Sequence, residues 1–202
     1  ENGDDVTGPW AVDLIGPADA ITLTSVTPTG TATIGSLKFG TSSAGADVAT
    51  VNLSAGTLTI QSDLYVASTG NGSMNIQAGG TVSSAGGDVG RSSGATGAAT
   101  VTGAGSAWNN SGYLVVGNYG NGSLNIEMEG VVTYATSYVG YRPGATGAVT
   151  VTGIGSMLNG SGTLYVGYQG DGTLLVTNGG SASNTDGYVD AQTGSTSVAT
   201  VT

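Results

Sequence analysis

"GNGSLNIEMEGVVTYATSYVGYRP", Gly120 to Pro143, runs directly into "GATGAVTVTGIGSMLNGSGTLYVGYQ", Gly144 to Gln169, and the kinship of these two halves decides the fold. Each half carries three short β-rich pieces separated by Gly, Asn or Ser. Within the pieces apolar and polar residues alternate: Leu124 and Ile126 flank Asn125, Val149 and Val151 flank Thr150, Leu164 and Val166 flank Tyr165. Such alternation turns one face of a strand inward and the other toward water. Helical periodicity is absent throughout.

Outward from this unit the sequence repeats every 50 residues. "GNGSMNI" at Gly70 returns as "GNGSLNI" at Gly120 and "GDGTLLV" at Gly170, and "ATVTGAGS" at Ala99 returns as "VTVTGIGS" at Val149. "DLYVAS" at Asp63 returns as "YLVVGN" at Tyr113 and "TLYVGY" at Thr163. The spacing predicts an unbroken register from about Gly30, with Val51, Val101, Val151 and Val201 in one column. Phe39, Val89, Val139 and Val189 make a second column, Leu64, Leu114 and Leu164 a third, and Ile76, Ile126 and Val176 a fourth.

Two related halves per unit describe a coil in which every strand pairs in parallel with its equivalent one turn later. The predicted fold is all-β: a right-handed parallel β-helix (β-solenoid) with about three short strands per turn, roughly 25 residues per turn and a 50-residue double-turn repeat. A flat parallel sheet needs longer crossovers than these linkers provide. The competing sandwich or propeller would use four strands per blade, where the halves show three. A disordered chain has no reason to keep aliphatics in columns. Glycine suits corners that need positive φ and close backbone approach. About seven turns at ~4.8 Å give a rod of roughly 35 Å.

Residues 1–20, "ENGDDVTGPWAVDLIGPADA", lack the register and read as a cap or edge segment, with Trp10 covering the open end of the core. Residues 21–202 read as the solenoid, divided into 21–69 (divergent), 70–119, 120–169 and 170–202 (truncated). "VATVT" closes the sequence inside an expected strand, so the chain reads as part of a longer protein.

Three basic residues against thirteen acids give a formal charge of −10, which repels nucleic acid and anionic lipid. No apolar run approaches the roughly 20 residues of a membrane-spanning helix. The chain has no His and no Cys, and Lys38, Arg91 and Arg142 are its only bases. That leaves few acid, base and nucleophile combinations, and no serine has an obvious partner base. Lys38 does not recur in equivalent positions, which hold Asp88, Tyr138 and Tyr188, and no cluster of acids with a base is evident. The residues suggest no cofactor and no metal. A calcium-binding nonapeptide is missing, and Asp171 of "GDG" reads as a corner residue tolerating a left-handed conformation. "GNYGNG", Gly117 to Gly122, has no helix behind it to make a phosphate loop. Thr100/Thr102 and Thr150/Thr152 would suit an ice-binding array, but Asn75, Gln77, Asn125 and Glu127 interrupt it.

Tyrosines are the candidate contact residues. Tyr138 and Tyr188 share one column and Tyr65 and Tyr165 another, while Tyr113, Tyr119, Tyr141 and Tyr168 fall at nearby corners. Tyr65, Tyr138, Tyr165 and Tyr188 are therefore the possible surface-contact residues, since a tyrosine ring supplies area with a wet hydroxyl. The alternative is that tyrosine is simply a good strand residue.

"VTGAGSAWNNSGYLVVGNYGNGSLNIEMEGVV", Val101 to Val132, and "VTGIGSMLNGSGTLYVGYQGDGTLLVTNGG", Val151 to Gly180, resemble the repeat of bacterial type V secretion (autotransporter) passengers and of some PEP-CTERM proteins. The likeness covers Gly70 to Thr202 well and Ile21 to Thr69 more loosely, with Leu53 to Ser68 departing at the "GxGS" corner. It implies a protein exported to the surface of a Gram-negative bacterium, whose β-helical passenger precedes a membrane-embedded C-terminal barrel not contained in this sequence. It further implies adhesion, aggregation or biofilm formation, and supplies no catalytic residues. The expected function is a non-catalytic structural or adhesive segment that could assemble into filaments. Expected partners are host or bacterial cell surfaces, polysaccharide, or copies of the chain itself. The alternative is a carbohydrate-binding module that uses the tyrosine face.

Overall fold

The structure is a computed structural model that describes residues 11–13, 20–24, 31–40 and 48–202. Trp10 and the rest of residues 1–10 lie outside the described residues. The described chain is all-β and forms a parallel β-solenoid of three sheets. Each strand pairs in parallel with the corresponding strand one turn away, and the sheets contain eight, seven and eight strands. Ala11–Asp13 (β1), inside the segment read as a cap, already pairs with Ser36–Phe39 (β4). No helix of the described residues is long and apolar enough to cross a membrane.

One turn runs through Asn71–Gln77 (β8) in the first sheet, Thr81–Ser84 (β9) in the second and Gly86–Val89 (β10) in the third. The next runs through Thr96–Thr102 (β11), Ala107–Asn110 (β12) and Tyr113–Val116 (β13). Both turns hold 25 residues but divide their corners differently: three, one and six residues in the first, four, two and four in the second. From β8 onward partners in the first sheet are therefore 25 apart, as Thr100 and Asn125 are, whereas in the third sheet the separation alternates between 27 (Val89 to Val116) and 23 (Val116 to Val139). This alternation is the physical origin of a 50-residue repeat in a 25-residue coil.

Val51 departs from the predicted column. It pairs with Met74 and continues through Ala99, Leu124 and Val149, while Val101 and Val151 stack with Leu53, Ile76 and Ile126 in the adjacent inward column. The register is not free of gaps, as the sequence predicts it to be. The corner after Val48–Ser54 (β5) is only Ala55 and Gly56, where the matching corner is Gly103–Ser106. Eight residues between β4 and β5, against six between β10 and β11, restore the offset. The shift is even, so aliphatics still face inward.

The interior is a continuous apolar column of Val, Leu, Ile and Met with a few large rings. Trp108 is fully buried and fills the space opposite Gly87, whose Cβ would lie 2.5 Å from the indole. Tyr134 lies likewise against Gly160. Glycine marks these points because a neighbouring ring occupies the side-chain volume. Gly117, at the corner after β13, has φ +77 and its Cβ would strike the Thr146 carbonyl of the next turn. The same corner hydrogen-bonds to the preceding turn, with Gly117 N–H donating to Val89 O at 2.8 Å and Asn118 N–H to Gly90 O at 3.1 Å.

Candidate functional site

The outward column of the third sheet collects most of the chemically distinctive side chains. It runs Lys38, Tyr65, Asp88, Val115, Tyr138, Tyr165 and Tyr188. The two tyrosine columns expected from the sequence are thus one. Comparison at 50 residues joins only alternate turns, so it separates Tyr138 from Tyr165. The signal for their union is "YVGY", which occurs at Tyr138–Tyr141 and again at Tyr165–Tyr168, 27 residues on.

At one end of this column the rings stack. Tyr138, on Thr136–Val139 (β16), and Tyr165, on Thr163–Val166 (β19), have centroids 5.0 Å apart and planes 4° apart. Tyr165 and Tyr188 continue the stack at 5.2 Å and 13°. The spacing follows that of the strands, ~4.8 Å. Tyr141 sits at the corner 4.4 Å from Tyr138, and Tyr168 meets Tyr138 and Tyr165 edge-on at 5.5 and 5.3 Å. Arg142 lies against the Tyr141 edge of this group, with its guanidinium 4.3 Å from the Tyr141 ring and 5.5 Å from that of Tyr119. Burial, then the neighbouring phenols, pushes the Tyr138 hydroxyl above its usual range. Because the rings stack on one another, the ladder offers ring edges and hydroxyls sideways. A sugar ring that packs face-on against an aromatic plane finds most of those planes occupied.

At the other end, Arg91 lies 4.0 Å over the Tyr65 ring and the Lys38 ammonium 5.9 Å from it. The Tyr65 hydroxyl donates to Asp63 Oδ2 at 2.9 Å. Burial and then this bond raise the Tyr65 pKa. Tyr113 reaches the same carboxylate across Gly86, where the ring occupies the volume a side chain would need, and its hydroxyl is held well above the ordinary phenol range by burial and by Asp63. Asp88 is 2% exposed, accepts from Asn118 Nδ2 at 2.7 Å through Oδ2, and has no partner at Oδ1. Burial lifts its pKa to about 6, against the pull of the Asn118 bond and the Arg91 charge.

Sequence reading missed this group. It finds no acids gathered with a base, but the 23-residue step from Tyr65 to Asp88 brings residues of two turns side by side. Asp88 is too deeply covered to meet a substrate, and Asp63 already accepts two phenols. The cluster as built anchors aromatic rings to the sheet.

Other candidates fall where the strands place them. Asp171 opens the strand Asp171–Thr177 (β20) and is not in a left-handed conformation, so it is no corner residue; its Oδ1 accepts from Thr196 N–H at 2.7 Å. Asn75 and Asn125 stand beside Thr100, and Gln77 and Glu127 beside Thr102, as the interrupted threonine array requires. Ser106 and Ser156 are buried corner residues whose Oγ atoms accept from Gly79 N–H at 3.0 Å and Glu129 N–H at 3.2 Å. Among the described residues no three His, Cys, Asp or Glu side chains gather as a metal site. A groove of about 370 Å³ crosses the second sheet, lined by Thr59, Ile60, Gln61, Ala85, Asn109 and Thr133 among others. The chain matches no family model, no curated protein and no solved structure.

Proposed function

We propose that this chain is a non-catalytic structural and adhesive segment of an exported bacterial surface protein, serving outside a Gram-negative cell as a stiff spacer that presents side-chain ladders. The observation that carries this reading is the bonding of every turn to its neighbours at corners as well as along strands. From Asn71 to Val189 no connection exceeds six residues, so proteases meet few of the long exposed loops they favour. Outward faces carry small polar ladders, such as Thr133 hydroxyl to Asn109 Oδ1 at 3.2 Å and Ser183 hydroxyl to Asn159 Oδ1 at 3.1 Å. Repetition at one spacing favours a repetitive partner: polysaccharide, a host or bacterial surface, or another copy of the chain. The charge of −10 disfavours nucleic acid.

Display of the chain on a non-adherent bacterium tests the proposal. Cells should clump, or bind epithelial or polysaccharide-coated surfaces, and the purified chain should appear as short rods or filaments in electron micrographs. Cells that neither clump nor bind, together with hydrolysis of a polysaccharide by the purified chain, would overturn it. The second reading, carbohydrate binding through Tyr65, Tyr138, Tyr165 and Tyr188, is favoured by their gathering in one column but weakened by the mutual stacking of three of the four. Glycan binding lost in Tyr138→Ala with folding retained would make it the better account.

A further inference from the structure

All nine tyrosines lie among the described residues. Five of them, Tyr138, Tyr141, Tyr165, Tyr168 and Tyr188, form one group of ring contacts. Tyr65, Tyr113 and Tyr119 are engaged by charged neighbours instead. Tyr138 meets three other rings at 4.4, 5.0 and 5.5 Å, and Tyr165 and Tyr168 meet three each as well. Tyr141 meets Tyr168 at 5.5 Å, so with Tyr138–Tyr165 and Tyr138–Tyr168 three pairs bridge the same two turns. With no cysteine in the chain, disulfides cannot link those turns.

A phenol that loses one electron and one proton becomes a radical with spin on its ortho carbons, and two such rings in contact combine. We propose that this tyrosine group is a site of oxidative coupling, at which a peroxidase using hydrogen peroxide joins rings of neighbouring turns, Tyr138 to Tyr165 or Tyr141 to Tyr168, as dityrosine. Each ring gives up one electron and one proton. An ortho carbon of one ring bonds to an ortho carbon of the other, and the hydrogens on those carbons move to the phenolic oxygens as aromaticity returns. Hydrogen peroxide accepts the two electrons and two protons and leaves as two molecules of water. Contact within the folded chain favours this coupling over encounters between chains, because the partners are already held together. The product is a covalent staple between β16 and β19, closing a loop of 27 residues if Tyr138 and Tyr165 are joined. The proposal stands on ring geometry and is independent of the adhesive reading.

The test treats the dilute, folded chain with a haem peroxidase and hydrogen peroxide. The expected product is a monomer lacking two hydrogens, with dityrosine fluorescence and fragment masses that place the link between Tyr138 or Tyr141 and Tyr165 or Tyr168. Tyr119→Phe, which alters the most exposed tyrosine at 53%, should behave as the parent does. The triple variant Tyr138→Phe, Tyr165→Phe, Tyr168→Phe keeps the stacked rings but should lose monomeric dityrosine about tenfold. Oxidation of the urea-unfolded parent should scatter the links, which shows that the fold directs them even if the triple variant folds poorly. Dityrosine found only in covalent dimers, links centred on Tyr119, undiminished yield in a folded triple variant, or the same link pattern from folded and unfolded parent would each overturn the proposal.

Discussion

Asp88 illustrates how an outward position in sequence becomes an inward one in electrostatics. It belongs to a solvent-facing column, yet neighbouring Tyr65, Arg91 and Asn118 bury it and leave Oδ1 without a partner. Its folded pKa of about 6 lies above the unfolded value of 3.8, so its contribution to stability is fully present below about pH 3.8 and lost as pH rises through 6. Stability should therefore increase on mild acidification from pH 7, by at most about 3 kcal/mol. Urea titrations across that range measure it, and Asp88→Asn should flatten the dependence; an unchanged slope would refute the assignment. Asp63 and Arg91 both bear on Asp88, the first raising and the second lowering its pKa. Gly117 carries a second residue-scale prediction. Gly117→Ala places a methyl against the next turn's carbonyl at a positive φ, and should cost about 3 kcal/mol in thermal or chemical unfolding. The matching corner at Ala67 holds φ 62 without glycine, so a side chain is tolerated at one turn of the coil.

At the scale of elements, packing depends on volumes exchanged between sheets of adjacent turns. Trp108 on β12 occupies the space that Gly87 on β10 leaves between Leu64 and Leu114, its partners on the two flanking strands. Trp108→Ala removes the ring without permitting β10 to fill the gap, and should cost about 3–5 kcal/mol. Calorimetry checks this, and a loss below 1 kcal/mol would mean that the stack can collapse around the void. Gly87→Ala should be destabilising for the opposite reason, overpacking. Neither residue stands out in sequence, since Trp108 falls where its 50-residue counterpart is Leu158, and only the neighbouring turn reveals its glycine partner. The tyrosine ladder has the same origin: the 27 and 23 residue steps of the third sheet set Tyr138, Tyr165 and Tyr188 in one line.

For the whole molecule, stability is carried turn by turn, because each strand touches mainly its equivalents one turn away. Removal of residues 71–120 takes out one double turn with Gly87 and Trp108 together and joins Gly70 to Asn121 in register. The shortened chain should fold, scatter X-rays as a rod shorter by about 10 Å, and unfold in urea with m reduced by roughly a quarter. An unfolded product would mean that the turns cooperate over a longer range than their contacts imply.

Strand positions, parallel stacking and the inward aliphatic faces were legible in the sequence by itself, because alternation and repetition are local statistics that a wound strand converts directly into burial. The GxGS departure at Leu53 to Ser68 was visible too, although its meaning, a two-residue deletion that moves Val51 one inward column over, was not. Only the tertiary structure decided which turn's side chains meet on the third sheet, and so which tyrosines stack and which carboxylate is buried. From β8 onward corner lengths alternate while their sum per turn stays constant, so the repeat records the length of the coil and conceals its sideways register.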